Sequence, residues 1–287
     1  MLRISYVSFP GLGIGEFALN SVAFTVFGHP IAWYGIIITM GMVLATLYVL
    51  YRAKQERVSV DDILDLGIFV IIFGVLGARM YFVLTSLELF DSFWDIFKIW
   101  NGGLAIYGGV IAGALTIFLF CYRKKKSYGQ FFDMVAPAVM LGQIIGRWGN
   151  FMNGEAHGGD TEIFCRMGLR FNQYAEARYY HPTFIYEALW NLLGFILINI
   201  FYKKKRYNGQ IAYMYLAWYG FGRMFIEQLR TDSLYILDGL FGPRWFLKVS
   251  SLVGLGCFLL FGGLLLYNAI KRKKGATVFN TSTQDAE

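Results

Sequence analysis

Two arginines stand where apolar helix is expected, and each has polar neighbours at helical spacing. In GRWGNF, Arg147 and Asn150 are three residues apart, and in YGFGRMFIEQ, Tyr219, Arg223 and Glu227 follow at steps of four. Residues three and four apart share one face of a helix, so both sets project as clusters. A guanidinium is a planar fork of donors that matches phosphate or carboxylate oxygens and stays charged at physiological pH. Two such forks at one depth make a phosphate site the first chemistry to consider. Glu155, His157 and Gly158 follow Arg147 in FMNGEAHGG, so a carboxylate and an imidazole lie in the same stretch.

The elements that must position these groups are membrane helices. The 287 residues are 56% apolar and 16% charged, against about 25% charged in soluble domains, and the mean hydropathy is +0.48. Seven apolar runs approach the roughly 20 residues that span a hydrocarbon core: 32–51, 66–86, 103–121, 131–150, 183–202, 210–228 and 249–270. The fourth is diluted by Asp133, Pro137 and Gln143. The expected fold is an all-α polytopic membrane protein: an outer N-terminal arm (1–31), a seven-helix membrane domain (32–270) with a small outer head at 151–182, and a basic inner tail (271–287). Alternation in IFCRMGLRF suggests a hairpin in that head, and Gly142 and Gly146 form a GxxxG step suited to close helix approach.

The net charge of +7 is not distributed as in a nucleic-acid-binding protein. Fifteen of the 26 Lys and Arg fall in four clusters, at Arg52/Lys54/Arg57, 123–126, 203–206 and 271–274, which follow the first, third, fifth and seventh runs. By the positive-inside rule that side is cytoplasmic, which places the N-terminus outside and the C-terminus inside, with the clusters facing anionic membrane lipid. Residues 1–31 show no signal-peptide pattern, and the polar segment 275–287 reads as a disordered tail. Intramembrane charges are costly and usually mark function. Here they gather in the outer halves of the runs: Arg79, Arg147, Glu187, Arg223 and Glu227, together with Tyr107 after NGGLAI. Arg79 with a carboxylate such as Glu187 reads equally well as structural pairing between helices.

Other chemistries fit poorly. No HExxH or GxSxG occurs, the three cysteines give no disulfide framework, and the last run has no lysine before Lys271. A transporter of an anionic solute or lipid is the main alternative, since charges lining a cavity are its signature too. A non-catalytic scaffold would leave the buried charges unexplained.

GRWGNFMNGEAHGG resembles the signature of bacterial prolipoprotein diacylglyceryl transferases. WYG at 33–35, HPTFIYE at 181–187 and YGFGRMFIEQLRTD at 219–232 fit the same family in order. The resemblance implies transfer of diacylglycerol from phosphatidylglycerol to the lipobox cysteine of a preprolipoprotein in the bacterial cytoplasmic membrane, with glycerol phosphate released and no metal or cofactor required. Carried over by residue, it marks Tyr34, Arg147, Asn150, Glu155, Gly158, Tyr219, Arg223 and Glu227. The arginines would stabilise the leaving phosphate, Asn150 and Tyr34 would bond headgroup or glycerol oxygens, and Glu155 and Glu227 would orient the arginines. Family members often have His-Gly-Gly in the third run, with that histidine as thiol base; here the motif is Tyr107-Gly108-Gly109. A phenol of ordinary pKa near 10 is a weak base at neutral pH.

Overall fold

The computed structural model describes residues 4–172, 174–231 and 248–284. The described residues form seven long helices: α1 (Trp33–Glu56), α2 (Val60–Thr85), α3 (Ile106–Lys124), α4 (Tyr128–Met152), α5 (Thr183–Tyr202), α6 (Gln210–Leu229) and α7 (Val249–Gln284). Each covers one of the expected apolar runs. Five of them, α1, α2, α3, α5 and α7 as far as Arg272, are long and apolar enough to cross a membrane. At 25 and 20 residues α4 and α6 are long enough but not apolar enough. These are the helices that carry Arg147 and Asn150 on one and Arg223 and Glu227 on the other. Gln130, Asp133, Pro137 and Gln143 dilute α4 besides these groups, as the tyrosines and Gln210 dilute α6.

The all-α expectation needs correction. Residues 4–32 form four strands, β1 (Ile4–Phe9), β2 (Ile14–Asn20), β3 (Val22–Val26) and β4 (His29–Ala32), and the 151–182 segment adds β5 (Met167–Arg170) and β6 (Arg178–Tyr180). β5 and β6 form the antiparallel hairpin that the alternation suggested, and β1 joins its free edge, giving an antiparallel sheet in the order β2-β1-β5-β6. The physical reason is visible in ISYVSF. Ser5, Val7 and Phe9 alternate with less buried neighbours, so one face of β1 packs inward. Val7, Phe9, Leu19, Met167 and Leu169 close over Phe184, with Phe151 and Met152 packed alongside. The sheet thus rests on the end of α4 and the start of α5.

The tail is corrected as well. α7 continues through Gln284, past the expected end of the seventh run at 270 and into the segment 275–287 that reads as a disordered tail. The segment 232–247, between the sixth and seventh runs, and residues 285–287 lie outside the described residues.

The chain divides into two compact units. One comprises 46–135 and 207–209, and the other 1–45, 136–206 and 210–287. In the first, Ala53, Ile63, Leu66, Ile117, Phe120, Cys121, Phe131 and Met134 form the core. α2 and α3 meet at Gly77 and Gly108, where a Cβ on either would overlap the backbone of the other. Asp62 pairs with Lys126 at 3.0 Å and Lys124 at 3.3 Å, so part of the basic 123–126 cluster is tied to the start of α2. Arg79 does not pair with a carboxylate among the described residues. It donates to the carbonyls of Asp95 (2.8 Å), Ile96 (2.7 Å), Gly102 (2.8 Å) and Gly103 (3.0 Å) in the connection before α3. Short 3-10 turns leave such carbonyls in need of donors, and a guanidinium supplies several from one side chain. Tyr107 belongs to this unit, with its ring 6.5 Å from Tyr81.

Candidate active site

The site is built in the other unit, on two helices locked by a reciprocal tryptophan pair. The rings of Trp190 on α5 and Trp218 on α6 stack at 4.2 Å and 12°, and each indole Nε1 donates to the other's backbone carbonyl, at 3.1 and 3.0 Å. Each ring also lies over a glycine of the opposite helix, Gly222 beneath Trp190 and Gly194 beneath Trp218, where any Cβ would overlap the indole. The register of α5 against α6 is therefore fixed. Glu187 lies three residues before Trp190, and Arg223 follows Gly222 directly.

That register brings three guanidiniums to one carboxylate. Glu187 Oε1 accepts from Arg223 Nη1 and from Arg230 Nη1, both at 3.1 Å, and Oε2 pairs with Arg147 Nη2 at 2.5 Å. Arg223 Nη2 also pairs with Glu227, one turn along α6. The Glu187 side chain is 3% exposed and the three arginines 12–17%. Buried charges persist only when paired, and here Glu187 is shared by three guanidiniums, one of which also meets Glu227. Tyr219 and Asn191 line a space of about 10 Å³ against Glu187 and Arg223, room for about one water. The α5–α6 side is thus closed by packing. Arg147 is different: among the described residues its guanidinium makes the Glu187 pair and one long bond, 3.5 Å to Asn150 Oδ1. A guanidinium has five donors, so Arg147 can still take an oxyanion.

After α4 the chain turns back through Gly154 and Ala156, both with positive φ (63° and 57°). The turn brings Glu155 Oε1 within 3.1 Å of both Asn150 Nδ2 and Asn153 Nδ2. Glu155 thus orients asparagine amides, whereas its expected hydrogen-bond partner was an arginine. The reason is reach, because the tight turn holds its carboxylate over the end of its own helix. The Tyr34 ring lies against Gly149, where a Cβ would be 3.0 Å from Cδ2, and its phenol interacts electrostatically with Glu155 and Arg147. In the GxxxG step, the close neighbour is at Gly146, 3.4 Å from Ile38 by the same measure, while Gly142 faces open space.

The arrangement is a buried cluster of arginines around Glu187, edged by Tyr34 and Asn150. The family described as prolipoprotein diacylglyceryl transferase matches residues 21–267. The chain belongs to that family. It is 41% identical over 268 residues to phosphatidylglycerol–prolipoprotein diacylglyceryl transferase 1 of Clostridium perfringens, covering 91% of this chain and 99% of that one. It is 43% identical to the like-named protein of Streptococcus pneumoniae (84% and 93% covered) and 39% identical to that of Listeria monocytogenes (91% and 94%).

Of the residues that the family resemblance marks, Arg147, Arg223 and Glu227 meet in one network. Asn150 and Glu155 adjoin it through Arg147, and Tyr219 borders it. Gly158 works through the backbone. Its N–H donates to His181 O at 2.8 Å, and it bridges Arg230 while Gly159 N donates to Leu229 O at 2.9 Å, so it clips the head to the end of α6. A Cβ at Gly158 would be 2.6 Å from His181 Cβ and 2.7 Å from Leu229 O. Neither neighbour is a flexible chain end. Gly158→Ala is therefore expected to cost about 1–3 kcal/mol by overpacking, read as a lower thermal midpoint in detergent together with reduced activity.

Three contributors escaped the sequence reading. Glu187 stands among the costly intramembrane charges but with Arg79 as its suggested partner, Arg230 lies just past the sixth run, and Lys248 precedes the seventh in an apolar stretch. Lys248 is buried, and its Nζ donates to the carbonyls of Glu227 (2.8 Å), Gln228 (3.3 Å) and Arg230 (2.7 Å), which closes the carboxyl end of α6. The available signal was its isolation in FLKVSS. The head histidines have structural surroundings. His157 stacks on Tyr180 at 4.1 Å, and His181 Nδ1 lies 3.5 Å from the Tyr186 hydroxyl. Burial pushes the His181 imidazole below its ordinary 6.5, so it is neutral near pH 7. Cys165 Sγ lies 3.4 Å from the same hydroxyl.

Proposed function

We propose that this chain transfers the diacylglyceryl group of phosphatidylglycerol to the lipobox cysteine of preprolipoproteins. The observation that carries the reading is the convergence of Arg147, Arg223 and Arg230 on Glu187, with donors of Arg147 still open among the described residues. The names of the relatives supply the donor and the acceptor. The cysteine gives up its proton, and its thiolate attacks the glycerol carbon that bears the phosphodiester. A C–S bond forms as the C–O bond to phosphate breaks, and glycerol phosphate departs with the electron pair. Charge grows on the leaving phosphate, where fixed guanidiniums contribute most to the rate. Arg147 and Arg223 receive it, Glu187 and Glu227 hold those forks, and Asn150, set by Glu155, bonds the headgroup with Tyr34. Positive charge at the site also favours thiolate on the incoming cysteine.

The orientation belongs to the same reading: seven spans, the N-terminus outside, and the site at the outer leaflet of the bacterial cytoplasmic membrane. Its support is that basic clusters follow the first, third, fifth and seventh apolar runs. α4 and α6 cross with their polar faces turned to the network.

Purified protein given phosphatidylglycerol and a lipobox peptide should yield a thioether-linked diacylglyceryl peptide, and none with the Cys→Ser peptide. Lipid movement without that product would favour the transporter. Tyr107→Phe tests the place of the family's histidine. Activity within about twofold of wild type is expected, because a phenol is a poor base near pH 7. A fall of 10²-fold or more, the usual contribution of a general base, would show that the hydroxyl moves the proton.

A further inference from the structure

An open groove of about 330 Å³ lies beside the arginine network, lined by Trp33 and Ile37 of α1 and by Trp148, Phe151 and Met152 of α4. Every lining residue is apolar. Its two walls carry polar site residues at the adjoining positions: Tyr34 follows Trp33, and Arg147 precedes Trp148. The Tyr34 ring lies on Gly149, immediately after Trp148. One face of this helix pair is therefore a surface for an apolar chain, and the adjoining positions carry the Tyr34 phenol and the Arg147 guanidinium, whose donors are not all taken among the described residues. That arrangement suits an amphiphile with an anion at the end of its apolar part. An extended peptide would bring backbone N–H and C=O groups into a groove that offers them no partner, at a cost of some kcal/mol for each. A hydrocarbon chain brings none. Trp33 and Trp148 stay 40% and 48% exposed, so the groove is accessible from outside the protein.

We infer that this groove holds an acyl chain of the anionic lipid whose phosphate Arg147 receives, and that Ile37 helps set the preferred chain length. The inference rests on the proposed transfer reaction and deepens it. Ile37 is half-buried and makes no polar contact that a substitution would break.

Filling the groove is the test. Ile37→Phe and Ile37→Trp are assayed with dioleoyl and dihexanoyl phosphatidylglycerol at fixed lipobox peptide, and kcat/KM is taken for each lipid. The ratio of long-chain to short-chain kcat/KM is expected to fall in order of side-chain size, by about tenfold for Ile37→Trp, equivalent to about 1.4 kcal/mol. The ratio cancels any general loss from imperfect folding. A ratio equal to wild type in both variants would overturn the inference. So would an unchanged ratio with a raised KM for the peptide, which would assign the groove to the peptide. Wild-type protein that transfers neither lipid would instead refute the reaction itself.

Discussion

Arg223→Ala is expected to lower diacylglyceryl transfer by about 10²–10³-fold, the usual effect of removing one preorganised donor from a site of developing negative charge. Arg223 gives one nitrogen to Glu187 and another to Glu227, and its side chain is 13% exposed. It therefore serves both the phosphate and the internal charge balance. Its loss takes a partner from both Glu187 and Glu227, and breaking a buried pair in this way costs about 3–5 kcal/mol. Rate and stability are separated by Arg223→Lys, which restores the charge without the fork. The lysine variant should recover most of the thermal midpoint measured in detergent and still transfer at least about tenfold more slowly than wild type. Wild-type turnover by Arg223→Ala would remove Arg223 from the mechanism.

Glu187→Gln should have the opposite signature on binding. Glu187 contacts three guanidiniums and competes with an incoming phosphate for the same donors. Neutralising it removes one negative charge from the cluster, leaving the arginines more attractive to an anion but held less firmly. KM for phosphatidylglycerol is expected to fall, and kcat to fall by about 10–100-fold, the pattern of a lost positioning interaction with stronger ground-state binding. The thermal midpoint should drop as well, since like charges then face one another in a buried site. A raised KM with unchanged kcat would show that Glu187 does not hold the arginines in their reactive geometry.

These two residues also show what could be read from the sequence. Arg223 was legible because Tyr219, Arg223 and Glu227 repeat every four residues in an apolar run, and a helix must put them on one face. Glu187 was visible as a costly intramembrane charge, but its partners were not. Pairing across helices depends on their register, and that is set by Trp190, Trp218 and the glycines beneath them, which no short-range pattern encodes. The seven long helices were legible from hydropathy, though α4 and α6 are less apolar than spans usually are. The sheet was missed because β1 and the β5–β6 hairpin are about 160 residues apart in sequence, and each strand is too short to stand out from its loop. Arg79 shows the reverse error, since a guanidinium read as half of an ion pair is engaged by backbone carbonyls.

The most direct test of the transfer mechanism follows both halves of one lipid. Phosphatidylglycerol labelled in its acyl chains and in its phosphate is incubated with the purified protein and a lipobox peptide. Transfer by attack at the glycerol carbon predicts the acyl label on the peptide cysteine and the phosphate label in water-soluble glycerol phosphate, in equal amounts. Phosphate label on the peptide, or neither label released while the protein stays folded, would contradict it.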